Sequence, residues 1–214
     1  MTPERATELF TRSDGGFHFA RWGRPIAPVI FGTDDASLGV LKDAMARVVS
    51  LGDMRFAETD PELGANLLTF FVEDWSELED VPHLDRVIPD LPQLLDRLRG
   101  AGANQYRSFG FDAEGAIRFC AILLRYDEHL AEVPAQVLAT SQMIQSFLLW
   151  SDTAFQDQSP IAIVSDTGLS VVRPEIAALT RAAYDEALPN AARDPAHAHR
   201  LAARATLLLG DLAE

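Results

Sequence analysis

The sequence predicts an α+β fold, in which a mixed or antiparallel sheet packs on helices and is followed by a mainly helical C-terminal part. Three patterns lead to this prediction. An amphipathic segment follows capping residues at 33–35, two strand-like runs at 105–111 and 116–126 flank a turn sequence, and helical segments occupy 174–188 and 195–212. Helices and strands that follow one another without a regular βαβ alternation are typical of this class.

The predicted helices begin at recognisable start signals. Thr2, Pro3 and Glu4 combine a hydroxyl cap, a proline and an early acid, so a short helix is expected at 3–11. A second helix opens at 33–35 and ends before Gly52. Its apolar residues recur at helical spacing: Leu38, Leu41, Met45 and Val48. Three more helices are expected at 134–150, 174–188 and 195–212, the last capped by Asp194.

Strand-forming residues occur in short runs between turn signals. The runs 17–21 and 25–31 read together as one interrupted strand. The apolar run 66–73 is expected to be a central strand. The runs 159–164 and 169–172 are expected to pair, and the turn between them is Ser165, Asp166, Thr167 and Gly168.

The strongest strand prediction is a hairpin of 105–111 and 116–126. Asp112, Ala113, Glu114 and Gly115 supply the turn between the two runs. The second run is apolar on both faces, apart from Arg118 and Arg125. We therefore expect it to be covered on both sides, as a central strand is.

The order of these elements predicts two parts. Residues 1–152 form a sheet-containing core, and residues 153–214 form a mainly helical C-terminal subdomain packed on it. Within the core, prolines at 82, 89 and 92 divide the segment 74–102 into short helical pieces. We expect this segment to be an insertion over one edge of the sheet, with its acids in solvent.

Composition restricts the classes of partner. The chain has 214 residues, with 18 basic and 32 acidic side chains and a formal net charge of -14. Its arginines are scattered singly, so nucleic acid and anionic membranes are not expected as partners. No apolar run approaches the roughly 18 residues of a membrane span. The expected location is the cytoplasm by default, with an exported mature form left open. The one cysteine, Cys120, is expected to pack in the core.

Four short sequences carry a resemblance to a known family. They are Trp22-Gly23-Arg24-Pro25, Ser141-Gln142-Met143-Ile144-Gln145, Trp150-Ser151-Asp152 and Tyr184-Asp185. Over about 22–185, the chain resembles a family of uncharacterised proteobacterial proteins, a domain of unknown function. A Glu-Glu-x-x-Gln-like helix and a Leu-Gly-Leu-x-x-Asp-like tail are typical of that family. The order strand, helix, strand, hairpin, helix is also that of zincin metallopeptidases, so the resemblance implies a zincin-like core.

The chain departs from these motifs at the positions that would bind the metal and supply the general base. Gln145 and Asp152 match the family's glutamine and aspartate, whereas Ser141 and Gln142 replace its two glutamates. Relative to an active zincin helix, His-Glu-x-x-His has become Ser-Gln-x-x-Gln. Serine and neutral glutamine are poor zinc ligands, and an amide is not a general base near neutral pH. The expectation is therefore no catalytic residue, no metal and no cofactor.

The leading hypothesis is a catalytically inactive, zincin-like binding or scaffolding module. Its candidate groove lies between the hairpin edge and the 134–150 helix and includes Ser141, Gln142, Gln145 and Asp152. An exposed sheet edge can accept an extended peptide, so a peptide or protein is the expected partner. The other interpretation of these polar side chains is that they bond neighbouring strand carbonyls or water inside a packed core.

Two alternatives belong to other functional classes. One is a metal-dependent hydrolase with non-standard ligands, for example His129 with acids of 74–80. The other is a structural self-association module that uses the small residues of the 174–188 helix, and the oligomeric state stays open. His197 and His199, two residues apart on a helix, point to different sides and are expected at the surface.

Overall fold

A computed structural model describes residues 1–164, 166 and 169–211 of the chain. The strands are β1 (Phe19–Ala20), β2 (Pro28–Phe31), β3 (Leu67–Val72), β4 (Gln105–Phe111), β5 (Ile117–Arg125), β6 (Ile161–Ile163), β7 (Ser170–Val172) and β8 (Ala191–Ala192). The helices are α1 (Pro3–Phe10), α2 (Asp35–Val49), α3 (Leu84–Val87), α4 (Leu91–Gly100), α5 (Glu128–Ala131), α6 (Ala135–Phe147), α7 (Pro174–Ala183) and α8 (Ala196–Asp211). Mixed and antiparallel sheets packed with helices confirm the predicted α+β class.

The main sheet has four strands in the order β2-β3-β5-β4. Strands β2, β3 and β5 run parallel, and β4 pairs antiparallel with β5. The predicted hairpin is thus confirmed, with β5 inside the sheet and β4 at its edge. Seven of the nine residues of β5 are buried, which agrees with the prediction of a strand covered on both faces.

The turn from β2 into α2 depends on a glycine. Gly32 has φ +76, and a Cβ there would lie 2.0 Å from the carbonyl oxygen of Phe71 on the neighbouring strand. Only glycine fits this backbone without displacing β3. Asp34 then caps α2 by accepting the Ser37 amide at 2.9 Å. As predicted, Leu41, Met45 and Val48 are buried, which directs α2 onto the sheet.

The larger hydrophobic core lies on the face of the sheet that α2 and α6 cover. It includes the β5 side chains Cys120, Ile122 and Leu124 and buried residues of α1, α7 and α8. Residues from before 152 and from after 153 therefore share one continuous cluster. Cys120 is a free, buried thiol, as expected, and burial raises its pKa to about 12.

The segment 74–102 covers the opposite face of the sheet. We expected it over one edge, but its apolar residues form a second core against the β3 and β5 side chains Phe70, Val72, Phe119, Ala121 and Leu123. The reason is the leucine spacing of α4, whose residues 91, 94, 95 and 98 are all buried. The acids Asp74, Glu77, Glu79 and Asp80 are exposed, and Asp74 with Glu77 forms a capping box.

Two extended runs near the N-terminus do not form one interrupted strand. Strand β1 pairs antiparallel with β8 in a separate two-stranded sheet, whereas β2 belongs to the main sheet. The partner of β1 lies about 170 positions further along the chain, so local patterning held no sign of it. This pairing draws the C-terminal part against the start of the chain.

Several boundaries differ from those expected. Helix α6 ends at Phe147 because Leu148 is extended and bridges Arg21, so Leu149 and Trp150 lie beyond the helix. Strands β6 and β7 pair as predicted. The predicted turn residues Ser165, Thr167 and Gly168, and the helix end at Leu212, lie outside the described residues. Across the described ranges, no helix is long and apolar enough to cross a membrane.

Candidate functional site

The C-terminal end of α6 is fixed by three aromatic rings. A helix leaves its last four carbonyl groups without intrahelical partners, and here the chain continues in extended form rather than through a glycine cap. The ring N–H of Trp22 donates to Ser146 O at 2.9 Å, and that of Trp150 donates to Ile144 O at 2.7 Å. The Tyr184 hydroxyl donates to Phe147 O at 2.8 Å. Three of the four short sequences that carry the family resemblance therefore supply a structural cap.

Gln142 faces the edge strand from inside the fold. Its side chain is buried, with 4% exposure. Its Nε2 donates to Gln105 Oε1 at 3.0 Å, and its Oε1 accepts a hydrogen bond from Arg107 Nη2. The sequence suggested bonds to strand carbonyls or water, but the partners are two side chains of β4. Gln142 thus connects α6 to the sheet edge and leaves no free oxygen for a metal ion.

Ser141 and Gln145 bond to each other rather than to a neighbouring element. Gln145 Nε2 donates to Ser141 Oγ at 2.9 Å and to Ser141 O at 3.2 Å, within one turn of α6. Both side chains are half-buried. The i, i+4 spacing places the two side chains on one face of α6, and of the two only Gln145 lines the groove described below.

Asp152 holds the loop that follows α1. Its carboxylate accepts the Ser13 backbone amide at 2.9 Å and also the Ser13 hydroxyl. These hydrogen bonds to Ser13 lower the pKa of Asp152, so the side chain is ionised at neutral pH. Arg12, which precedes Ser13 in the chain, lines the groove described below.

A groove of about 460 Å³ runs between β4 and the chain just beyond α6. One wall is the β4 segment from Gln105 to Phe109, and the other is the segment 149–156 with Gln145. Trp150 stacks on Phe10 at 5.2 Å and meets Phe155 edge-on at 5.0 Å, which makes this second wall aromatic and rigid. Of the four candidate groove residues, Gln145 and Asp152 line this groove. Ser141 and Gln142 lie behind it.

The β4 edge presents unpaired backbone groups to this groove. The Arg125 amide donates to Asn104 O at 2.8 Å, so every second β4 residue from there, including Tyr106 and Ser108, bonds to β5. The amide and carbonyl groups of Gln105, Arg107 and Phe109 consequently point away from the sheet. Within the described residues, no further strand pairs with this edge.

Two arginines line the groove, and sequence reasoning missed both of them. Arg107 is set between the sheet and α6, and burial lowers the pKa of its guanidinium to about 10. Arg12 is exposed. Neither forms an ion pair with any carboxylate in the described ranges. The alternation of Gln105, Arg107 and Phe109 along β4 was the available signal, since it puts a charge on the face that α6 covers.

The side chains of Ser141, Gln142 and Gln145 do not fit a divalent metal. Gln142 is occupied by two hydrogen bonds, and the Arg107 guanidinium beside it would repel a cation. Glu128, His129 and Glu132 are exposed around α5, where Asp127 supplies the cap. A search of the described residues finds no cluster of three or more His, Cys, Asp or Glu side chains that could hold a metal ion.

The histidine pair on α8 was only partly predicted. His199 is exposed and points to a different side from His197, as expected. His197, however, is buried with 1% exposure and packs on Phe19 with 4.4 Å between ring centroids. Burial lowers its pKa to about 4, and the charges of Arg200 and Arg21 contribute. Neither ring nitrogen has a hydrogen-bond partner among the described residues.

A second, larger cavity of about 630 Å³ lies at the carboxyl ends of β2 and β3. Two of its acidic side chains are engaged in local backbone contacts: Asp34 caps α2, and Glu77 accepts the Glu73 and Asp74 amides. Comparison of the chain with models of protein families, with curated proteins and with solved structures finds no match.

Proposed function

We propose that the protein is a binding module that takes an extended peptide segment along the β4 edge, in the groove closed by residues 149–156. The observation that carries this proposal is the position of β4. It is an edge strand whose outward backbone groups open onto a groove with a rigid aromatic wall. A peptide in extended form would pair with Gln105, Arg107 and Phe109 as an added strand.

The dimensions and chemistry of the groove support this occupant. Strand β4 has seven residues, so a segment of about six to eight residues could pair along its length. Trp150, Phe155 and Leu149 offer apolar contact for alternate side chains of such a segment. Backbone pairing would supply affinity, and these contacts would supply selectivity.

We further propose a zincin-like core without hydrolytic chemistry. The order of elements supports it: a parallel strand, helix α2, a second parallel strand, a hairpin, and then α6 against the sheet. At the position of the general base, Gln142 is an amide committed to Gln105 and Arg107. A groove that retains its edge strand while its helix lacks acids and histidines is suited to binding without cleavage.

The two alternatives have less support in the molecule. A metal-dependent hydrolase needs ligands that converge, and His129 and the acids of 74–80 belong to no metal-holding cluster of described residues. The self-association proposal used the alanines of α7. Ala178, Ala182 and Ala183 are buried in the larger core of the same chain, where α7 packs on α8.

The test begins with a displayed library of random octapeptides. Peptides selected on the full-length protein are resynthesised with a single N-methyl group at each successive position, and their affinities are measured by fluorescence anisotropy. An added strand alternates between amides that face β4 and amides that face solvent. Methylation should therefore weaken binding at every second position, by about tenfold or more, and leave the others unchanged.

Two results would overturn the proposal. One is the failure of the library to yield any peptide that binds. The other is binding that tolerates N-methylation at all positions, because such a peptide would not pair with a strand edge. As a matched control, the same peptides are measured on a Phe31→Thr variant, which alters the opposite edge strand, β2, and should bind them normally.

A further inference from the structure

On the β4 wall of the groove, Gln105 and Arg107 present hydrogen-bond donors. Gln142 Oε1 accepts from Arg107, and Gln142 Nε2 donates to Gln105 Oε1. This chain of bonds uses the one acceptor of the Gln105 amide and leaves its Nε2 group to donate. The direction of the network therefore turns Gln105 and Arg107 into donors toward the groove.

Arg107 holds a positive charge that nothing in the described ranges neutralises. Its Nη2 bonds to Gln142, while its Nε is buried without a partner. Its Nη1 has no partner either, and it is not among the buried unpaired atoms, so it remains accessible. With a pKa of about 10, the group is charged at neutral pH. A desolvated charge without a counter-ion is costly, so an anion at this place would be strongly favoured.

Several other arginines, such as Arg47 and Arg55, also lack an ion pair within the described residues, and Arg107 differs from them in the burial of its guanidinium. With a formal net charge of -14, acids are plentiful, and six arginines pair with them: Arg5, Arg24, Arg99, Arg118, Arg125 and Arg204. Arg107 and Arg12 have no such pair within the described residues, yet they line the same groove. The one carboxylate of that groove, Asp152, is engaged by Ser13.

From these observations we infer that the groove selects a carboxylate-bearing peptide, whose carboxylate binds Arg107, Gln105 and Arg12. This inference rests on the proposed peptide-binding function and specifies its ligand. The carboxylate can be an aspartate or glutamate side chain or the C-terminus of the peptide, because both present the same planar pair of oxygens to a guanidinium. Gln142 acts as a positioning residue that orients Arg107 and Gln105.

The experiment compares acids with their amides on one peptide. The tightest peptide of the octapeptide library is remade with glutamate or glutamine at each position, with an amidated C-terminus. A third set carries glutamine and a free C-terminal carboxylate. We expect one acidic form to bind at least about tenfold more tightly than its amide counterpart. The position that shows this preference distinguishes a side-chain carboxylate from a terminal one.

Variants assign the preference to the arginines. Arg12→Gln, at an exposed position, and Arg107→Gln should each reduce the acid-over-amide ratio to about threefold or less. Arg47→Gln is the matched control. Arg47 is exposed on α2, away from the groove, and its substitution changes the net charge by the same amount. It should keep the full ratio. Because Arg107→Gln changes the interior, thermal unfolding is measured on it, and Arg12→Gln tests the inference should Arg107→Gln fail to fold.

The outcomes separate this inference from the function on which it rests. Equal binding of acid and amide peptides, with the alternating N-methyl pattern intact, overturns the carboxylate inference and leaves the strand-edge function in place. A preference for acid that Arg47→Gln reduces as much as Arg12→Gln does also overturns it, since overall charge would then be the cause. If no peptide binds, both are wrong.

Discussion

Replacing Gln142 with leucine should lower the free energy of unfolding much more than the small change in side-chain volume would suggest. The change removes the hydrogen-bond acceptor of Arg107 Nη2 and the donor to Gln105 Oε1. A bond to a charged group contributes about 1.5–3 kcal/mol, and a neutral amide bond about 1 kcal/mol. The buried leucine regains about 1–2 kcal/mol through apolar contact. We therefore expect Gln142→Leu to lower the free energy of unfolding by about 2 kcal/mol.

Replacing Arg107, the other partner of the Gln142 hydrogen bond, should change the free energy of unfolding only slightly. Arg107→Met removes the desolvated charge, so it should alter the free energy of unfolding by about 1 kcal/mol or less. In the double variant the leucine no longer leaves a guanidinium unpaired. The double variant should then be more stable than Gln142→Leu alone, with a coupling of at least about 1 kcal/mol.

Urea unfolding followed by tryptophan fluorescence measures all three variants. Gln145→Leu is the matched control, since it makes the same substitution three residues further along α6. Its amide bonds only to Ser141 within the described residues, so it should change stability by about 0.5 kcal/mol or less. Two results would contradict this explanation. One is a loss of unfolding free energy in Gln142→Leu no larger than in Gln145→Leu. The other is a double variant in which the effects of Gln142→Leu and Arg107→Met on that free energy are additive.

Three further predictions concern other parts of the molecule. His197 has a pKa lowered from 6.5 to about 4, so the folded state binds fewer protons than the unfolded state between these pH values. The free energy of unfolding should therefore fall by up to about 3 kcal/mol as pH drops from 6.5 to 4. In urea unfolding at several pH values, His197→Leu should remove most of this pH dependence. Gly32→Ala should lower the free energy of unfolding by about 2 kcal/mol or more, because the added Cβ would overlap Phe71 O. Gly39→Ala, which has open space around it within α2, should raise that free energy by about 0.5 kcal/mol. Equal effects of the two substitutions would contradict the role given to Gly32 in the turn. Elemental analysis of the purified protein should find no stoichiometric zinc, and one zinc per chain held through Gln142 would contradict the proposed loss of metal chemistry.

Local patterns were enough for most elements of the fold. Caps at Thr2, Asp34 and Asp194 and the turn at Asp112 each depend on bonds between residues two to four positions apart, and such bonds are visible in a sequence. The spacing of leucines in α4 likewise contained the information that this helix covers a face. The prolines at 82, 89 and 92 predict short helical pieces but do not show which part of the sheet these pieces cover.

Long-range pairing accounts for what the sequence did not reveal. Strand β1 has only two residues, and its partner β8 is a pair of alanines, so neither has a pattern of its own. The end of α6 was misplaced for a similar reason. Its cap comes from Trp22 and Tyr184, on segments far from Phe147, rather than from a local glycine.

Two of the four candidate groove residues, Gln145 and Asp152, line the groove beside α6. Its charge was missed because Arg107 and Arg12 are single arginines, nearly a hundred positions apart, that only the fold brings together. The polar residues of α6 are prominent in the sequence, but the hydrogen-bond donors of the groove, Gln105 and Arg107, lie on β4 and bond to Gln142.

Amide hydrogen exchange along β4 shows whether a bound peptide pairs with this strand. In the free protein, Tyr106 and Ser108, whose amides bond to β5, should exchange slowly, and Gln105, Arg107 and Phe109 should exchange fast. With a selected octapeptide at saturation, the account predicts that the amides of Gln105, Arg107 and Phe109 slow by at least about tenfold. Unchanged exchange at these three amides, with the peptide bound, would contradict it.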